Sequence, residues 1–187
     1  MKYEMPILET DRLVLKRGTY EDFLKVYEYD FTRLRNIAGE FEFVKTDPEV
    51  VKKFVDYADE DYVLDYVLFL KENNEPIGNV TIDRYDDSNK SLEIACNLHP
   101  TYWRQGYMTE AILRLMRYIF DNLDIDNIRY GYAEENYKSK ALNDKIGFKY
   151  NGYSIGTYFR IGKDIKAIET IMSKEDFYQK YGKSYNK

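Results

Sequence analysis

Three strand-like segments separated by short polar turns most constrain how this chain can fold. The segments span residues 62–71, 77–85 and 91–98, and the turns between them are Glu72–Glu75 and Asp86–Asn89. Apolar or alternating runs of this length are typical of β-strands, and turns this short join antiparallel neighbours. The pattern therefore predicts an antiparallel meander in the middle of the chain.

The segment before the meander predicts one strand and two helices. Leu13–Leu15 is typical of a short strand, and Thr19 is placed to cap a helix that begins near Tyr20. A second helix is expected to begin at Asp47-Pro48, because proline suits the first helical position. That helix would bury Val51, Phe54 and Val55.

The segment after the meander returns to helical spacing. A long helix is predicted from the apolar positions Ile112, Leu115, Met116, Ile119 and Leu123. It is followed by a strand at 125–133, a helix at 136–146 that Gly147 ends, and strands at 148–155 and 165–172. This order predicts an α/β (α+β) fold: a central, mixed and mostly antiparallel sheet of about seven strands, flanked by helices.

Length and composition indicate one globular domain. The chain has 187 residues and no internal repeat, so we expect a single domain over 1–187, with a C-terminal helix and a frayed tail at 175–187. The net charge of −5 argues against binding nucleic acid. Because Cys96 is the only cysteine and His99 the only histidine, we expect no metal site. The sequence has no long apolar run, so we expect no membrane association and a cytoplasmic location.

One turn stands out as a candidate for binding phosphate. Trp103–Ala111 lies between a predicted strand and the long helix. A helix start presents unpaired N–H groups to an anion, Gly106 allows close approach to the backbone, and Thr109 adds a hydroxyl. The alternative is that Gly106 is only a turn glycine and Thr109 only a helix cap.

Several segments in the same order resemble the GNAT superfamily of acyl-CoA N-acyltransferases. They are similar to its Rim-type branch of ribosomal-protein N-terminal acetyltransferases, and comprise Glu9–Leu15, His99–Ala111, Asn136–Ser139, Lys145–Phe148 and Gly162–Asp164. The resemblance implies a GNAT fold, with a sheet splayed at the cofactor site, and acetyl-CoA as cosubstrate. The cofactor-binding residues that it implies are Leu98, His99, Arg104, Gln105, Gly106, Tyr107, Met108, Thr109, Asn136 and Ser139.

The resemblance also implies direct transfer of an acetyl group to an amine, with a base and an acid. Glu93 is the candidate base, because the resemblance implies a carboxylate on this strand, before the cofactor turn, that acts through water. Alternation places Glu93 on the face opposite Leu92 and Ile94. The alternative is an ordinary solvated strand glutamate. Many GNAT enzymes have a tyrosine acid where this chain has Asn143, and the resemblance implies that Ser139 takes that role.

The acceptor stays open at this level. A protein N-terminus, a polyamine, an amino sugar or an amino acid would each supply a primary amine, and the protein could be a monomer or a homodimer. Tyr150, Tyr153 and Tyr158 could line the acceptor pocket. The alternative functions are a non-catalytic acyl-CoA sensor and a nucleotide-phosphate binder, although the phosphate-binding P-loop motif is absent.

Overall fold

The computed structural model describes residues 5–28, 45–58, 63–158 and 163–182, and within them it has eight strands and five α-helices. The strands are β1 Leu8–Glu9, β2 Leu13–Lys16, β3 Leu64–Leu70, β4 Pro76–Asp86, β5 Ser91–Leu98, β6 Asn127–Ala133, β7 Lys149–Tyr158 and β8 Lys163–Ser173. The helices are α1 Tyr20–Val26, α2 Pro48–Ala58, α3 Tyr107–Asn122, α4 Tyr137–Ile146 and α5 Lys174–Tyr181. A short 3-10 turn, Pro100–Tyr102, precedes α3.

The strands form one mixed sheet in the order β1-β2-β3-β4-β5-β6-β8-β7. The β1–β2, β2–β3, β3–β4, β6–β8 and β7–β8 pairs are antiparallel, and β5–β6 is parallel. The predicted fold class is therefore confirmed. The eighth strand is β1, whose two residues are too few to show an alternating pattern.

The parallel pairing of β5 with β6 is short. It runs from Ser91–Asn127 to Ile94–Tyr130, although β5 continues to Leu98 and β6 to Ala133. Such limited pairing is what the resemblance to a splayed sheet predicts.

Contacts divide the chain into two compact units. The first unit comprises Met1–Asp83 with Ala95–Leu115, and the second unit comprises Arg84–Ile94 with Met116–Lys187. The single domain over 1–187 remains a prediction. The expected C-terminal helix corresponds to α5, and the expected tail at 183–187 lies outside the described residues.

In the first unit, α1 and α2 pack against the sheet through apolar side chains. Thr19 and Asp22 form a reciprocal capping box at the start of α1, as its sequence favours. The buried apolar cluster between these two helices and the sheet contains Phe23, Val26, Tyr27, Val51, Val67 and Phe69. The predicted start of α2 at Pro48 and the burial of Val51 are confirmed, whereas the Phe54 side chain lies outside the described part.

In the second unit, aromatic residues join α3 to α5. The ring centroids of Phe120 and Phe177 are 5.3 Å apart, and both side chains are buried. α4 ends at Gly147, which has the left-handed φ of +97° expected for a helix-ending glycine. No helix within the described ranges is both long and apolar enough to cross a membrane.

Candidate active site

A tight turn leads from the 3-10 segment into α3. Arg104 and Gly106 both have left-handed backbone conformations, with φ of +62° and +85°. The helix begins at Tyr107, and the N–H of Glu110 donates to the carbonyl of Gly106 at 3.1 Å. Within the described chain, no acceptor is found for the N–H groups of residues 107–109. The front of α3 therefore presents free donors at the positive end of its dipole.

This turn suits a phosphate group. A Cβ atom on Gly106 would meet only Arg12 Nη2, at an ordinary 3.5 Å, so it is the φ angle that requires glycine here. Without a side chain, the backbone N–H groups stay open to a ligand. Backbone donors at a helix front, with the nearby hydroxyl of Thr109, form a donor set that phosphate oxygens accept well.

Arg12 holds this turn from the connection between β1 and β2. Its Nη1 donates to the carbonyl of Gln105 at 3.0 Å, and its Nε donates to Glu110 Oε2 at 2.7 Å. Its backbone N–H donates to Glu110 Oε1 at 3.0 Å, and its guanidinium lies 4.2 Å from the ring centre of Tyr107. Arg12 thus fixes the residues on both sides of Gly106.

The carboxylate of Glu110 is the partner of Arg12 in this ion pair. Burial acts to raise the pKa of Glu110, but hydrogen bonds from the Thr10 hydroxyl, the Arg12 side chain and the Arg12 N–H outweigh it and hold that pKa below its ordinary value. Glu110 therefore stays ionised at neutral pH, in the first turn of α3, where a negative charge is favourable.

The backbone at the end of β5, where the resemblance implies that Leu98 and His99 bind the cofactor, is largely hydrogen-bonded within the protein. The N–H of His99 donates to the carbonyl of Ile77 at 2.8 Å, so His99 has no free N–H for a ligand. The carbonyl of Leu98 accepts from the indole N–H of Trp103 at 2.7 Å. The imidazole is also engaged: Nε2 lies 3.2 Å from Glu28 Oε2, and Nδ1 accepts from the Thr101 N–H at 3.4 Å. These contacts identify His99 as a structural residue of this turn.

A polar network lies next to β5 in the first unit. Asn97 Nδ2 donates to the Tyr27 hydroxyl at 3.0 Å and to Asn79 Oδ1 at 3.3 Å. Asn79 Nδ2 donates to Asp65 Oδ1 at 2.8 Å, and the Thr81 hydroxyl donates to Asp65 Oδ2 at 3.1 Å. The Asn97 amide is therefore part of a network that also satisfies the buried Asp65 carboxylate.

Glu93 lies in the second unit, between two arginines. Arg84 Nη1 donates to both carboxylate oxygens of Glu93, at 3.1 and 3.3 Å, and Arg129 Nη1 lies 3.8 Å from Oε2. Leu92 and Ile94 are buried while the Glu93 side chain is 17% exposed, so the predicted alternation along β5 is present. The carboxylate is therefore ion-paired and is not an ordinary solvated strand glutamate.

Asn136 and Ser139 lie together at the front of α4, also in the second unit. Asn136 Oδ1 accepts from the N–H of Ser139 at 3.2 Å, so Asn136 is the helix cap. In the part of the chain that is described, the Ser139 hydroxyl makes no hydrogen bond. Asn143 is buried and donates to the Thr170 hydroxyl at 2.7 Å, which places its amide in the core.

The predicted site residues thus fall into two groups. The first unit holds Leu98, His99 and the turn residues Arg104, Gln105, Gly106, Tyr107, Met108 and Thr109, whereas the second unit holds Glu93, Asn136 and Ser139. Sequence reasoning gave no role to Arg12, Arg84 or Arg129. The opening segment Glu9–Leu15 contains Arg12, but nothing local in it indicates a partner 98 residues away.

The mixed sheet and its flanking helices match the fold of GNAT acetyltransferases. The family model for the acetyltransferase (GNAT) domain matches residues 12–149. The chain belongs to this family and is an enzyme of the N-acetyltransferase type.

Known proteins resemble the chain over most of its length. An uncharacterized N-acetyltransferase, p20, of Bacillus licheniformis is 27% identical over 152 residues, covering 79% of this chain and 85% of that protein. The structure of a ribosomal-protein-S5-alanine acetyltransferase from Vibrio fischeri has a TM-score of 0.66 at 19% identity, covering 92% of this chain and 98% of the other. A chimaeric spermidine N-acetyltransferase from Vibrio cholerae has a TM-score of 0.67 at 17% identity, covering 88% and 97%. At these identities the two structures support the fold alone.

Proposed function

We propose that this protein transfers an acetyl group from acetyl-CoA to a primary amine by direct attack. The observation that carries the proposal is the turn before α3, where open backbone donors follow Gly106 and Arg12 holds the residues on either side. Those donors suit a diphosphate, and acetyl-CoA is the acyl donor that the family implies. When bound, acetyl-CoA supplies the activated acetyl thioester.

The residues proposed to hold the cosubstrate belong to that turn in the first unit and to the start of α4 in the second. The N–H groups of residues 106–109 and the Thr109 hydroxyl would bind the diphosphate. Arg104 and Gln105 would border it, the backbone of Leu98 and His99 would meet the pantetheine arm, and Asn136 would act from the start of α4. For His99 this role rests on the second lone pair of its carbonyl, since its N–H is bonded to Ile77 and the carbonyl already accepts from the Tyr102 N–H at 3.0 Å.

The proposed chemistry moves one proton from nitrogen to sulfur. The carbon–nitrogen bond forms while the carbon–sulfur bond breaks, so the amine loses a proton and the departing thiolate gains one. Glu93 would accept the proton from the amine, directly or through water, and the Ser139 hydroxyl would supply the proton to sulfur. An acceptor that arrives as an ammonium ion releases one further proton to solvent.

The acceptor is proposed to be a protein N-terminus or a small polyamine. The Rim-type motifs and the structural similarity to a ribosomal-protein acetyltransferase favour the first. The similarity to a spermidine acetyltransferase favours the second. Both are primary amines that carry a positive charge at neutral pH.

A thiol-release assay tests this proposal. Acetyl-CoA is incubated with an alanine-initiated peptide, spermidine, an amino sugar and an amino acid, while free CoA is followed with time. We expect release with at least one amine, and Glu93→Gln should lower kcat about a hundredfold while the Kd for CoA stays unchanged. Tight CoA binding without turnover on any amine would instead favour a sensor, and a wild-type rate for Glu93→Gln would remove Glu93 from the chemistry.

A further inference from the structure

Glu93 is fixed from a neighbouring strand by Arg129. In the parallel β5–β6 register the two residues lie directly opposite each other, and Arg129 Nη1 is 3.8 Å from Glu93 Oε2. The same guanidinium donates through Nη2 to the carbonyl of Arg84 at 2.6 Å. Arg129 therefore joins the carboxylate to the backbone of the residue that supplies its second cation.

Arg84 approaches Glu93 from the end of β4 in an unusual backbone conformation. Its φ is +48°, in the left-handed region that few residues other than glycine adopt. From there Nη1 donates to both oxygens of the carboxylate, at 3.1 and 3.3 Å. The Arg84 side chain is 69% exposed, while that of Arg129 is 29% exposed. Water screens the contact from Arg84 more strongly, whereas Arg129 is the more buried of the two cations.

The carboxylate faces an open part of the sheet. Glu93 Oε1 is 3.9 Å from the point that a Cβ atom on Gly131 would occupy, and Glu169 Oε2 is 3.5 Å from the same point. Gly131 is exposed, so the space above it is accessible. Glu169 Oε1 accepts from the Ser154 hydroxyl at 2.8 Å. The described charged groups near Glu93 or near the same Gly131 position include Arg84 from β4, Arg129 from β6 and Glu169 from β8.

We propose that Arg129, assisted by Arg84, is a positioning residue that keeps the Glu93 carboxylate ionised and directed over Gly131. The inference rests on the proposed role of Glu93 as the base of acetyl transfer. A base must be unprotonated to accept a proton, and opposite charges beside a carboxylate favour its charged form. The two guanidiniums supply those charges and fix the direction in which the carboxylate points.

The two arginines contribute in different ways. Loss of either positive charge makes the carboxylate form of Glu93 less favourable, so the acidic limb of the kcat/KM profile moves to higher pH. Loss of Arg129 also removes the guanidinium that contacts both the Arg84 carbonyl and the Glu93 carboxylate. The direction of the carboxylate is then less well fixed, so the rate falls even where Glu93 is fully ionised. Lysine at position 129 would restore the charge but not the two-armed contact.

The test measures pH profiles of kcat/KM for Arg129→Met, Arg129→Lys and Arg84→Met with the best acceptor. For Arg129→Met we expect the acidic limb to move to higher pH by about half to one unit, and the plateau value of kcat/KM to fall about tenfold. Arg129→Lys should return the limb to its wild-type position while the plateau stays low. Arg84→Met should move the limb and leave most of the plateau.

Arg117→Met is the matched control. Arg117 is another partly buried arginine of the second unit, and it donates to the carbonyls of Tyr181 and Gly182. Its loss should leave the acidic limb in place, and CoA affinity should be unchanged in all four variants. Equal profiles for wild type, Arg129→Met and Arg129→Lys would overturn the positioning role, even if Glu93→Gln is slow. If Glu93→Gln keeps the wild-type rate, the base assignment itself fails.

Discussion

At the scale of single residues, we expect cosubstrate binding to depend most on Gly106. Its φ of +85° is strained for any residue with a side chain, so a substitution would disturb the backbone that presents the donors of residues 107–109. We therefore expect Gly106→Val to weaken CoA binding about tenfold or more, which is about 1.4 kcal/mol. Isothermal titration with CoA measures this directly.

The matched control is Gly152→Val. Gly152 also has a positive φ, +122°, and a Cβ atom there would meet nothing within 4 Å, but it lies in β7 and not in the turn. Its variant should be destabilised by comparable backbone strain and bind CoA like the wild type. Equal losses of affinity in both variants would mean that strain, and not the turn, determines binding.

At the scale of elements, the ion pair between Arg12 and Glu110 links the β1–β2 connection to α3. Because the pKa of Glu110 is held below its ordinary value of 4.5, its contribution to folding is present above that value and is lost as pH falls through the lowered value. We expect Glu110→Gln to cost about 1–2 kcal/mol at pH 7, from weakened charge-assisted hydrogen bonds. The difference from wild type should shrink as the pH is lowered.

Urea unfolding from pH 7 down to pH 3 measures this difference. Glu49→Gln is the control, since Glu49 also lies in the first turn of a helix, α2, and no ion pair of its carboxylate is found among the described residues. It should change the free energy of unfolding by no more than about 0.5 kcal/mol at any pH. If the difference in the free energy of unfolding between Glu110→Gln and wild type stayed constant with pH, the carboxylate of Glu110 would not be the group that titrates.

At the scale of the whole molecule, local patterns predicted most of the fold. The alternation over 91–98 gave β5 with its observed limits, and Thr19 and Gly147 marked the ends of α1 and α4 where they are observed. These patterns reflect interactions between residues a few positions apart, so they can be recognised in the sequence. The two-residue β1 was missed, because it is defined only by its pairing with β2.

The site was predicted less completely, because its supporting contacts are distant in sequence. Arg12 reaches Glu110, Arg129 reaches the Arg84 carbonyl, and His99 reaches Glu28, yet no periodicity links these pairs. The family resemblance indicated which residues to consider for ligand and catalysis. It gave no indication that Glu93 is ion-paired or that the His99 N–H is already used.

We propose above all that the front of α3 binds the diphosphate of acetyl-CoA. A crystal structure of the protein with CoA tests it most directly. We predict diphosphate oxygens within about 3 Å of the backbone nitrogens of residues 106–109, with the Arg12–Glu110 pair intact. A well-ordered CoA whose diphosphate lies elsewhere, leaving those nitrogens without contact, would contradict the account.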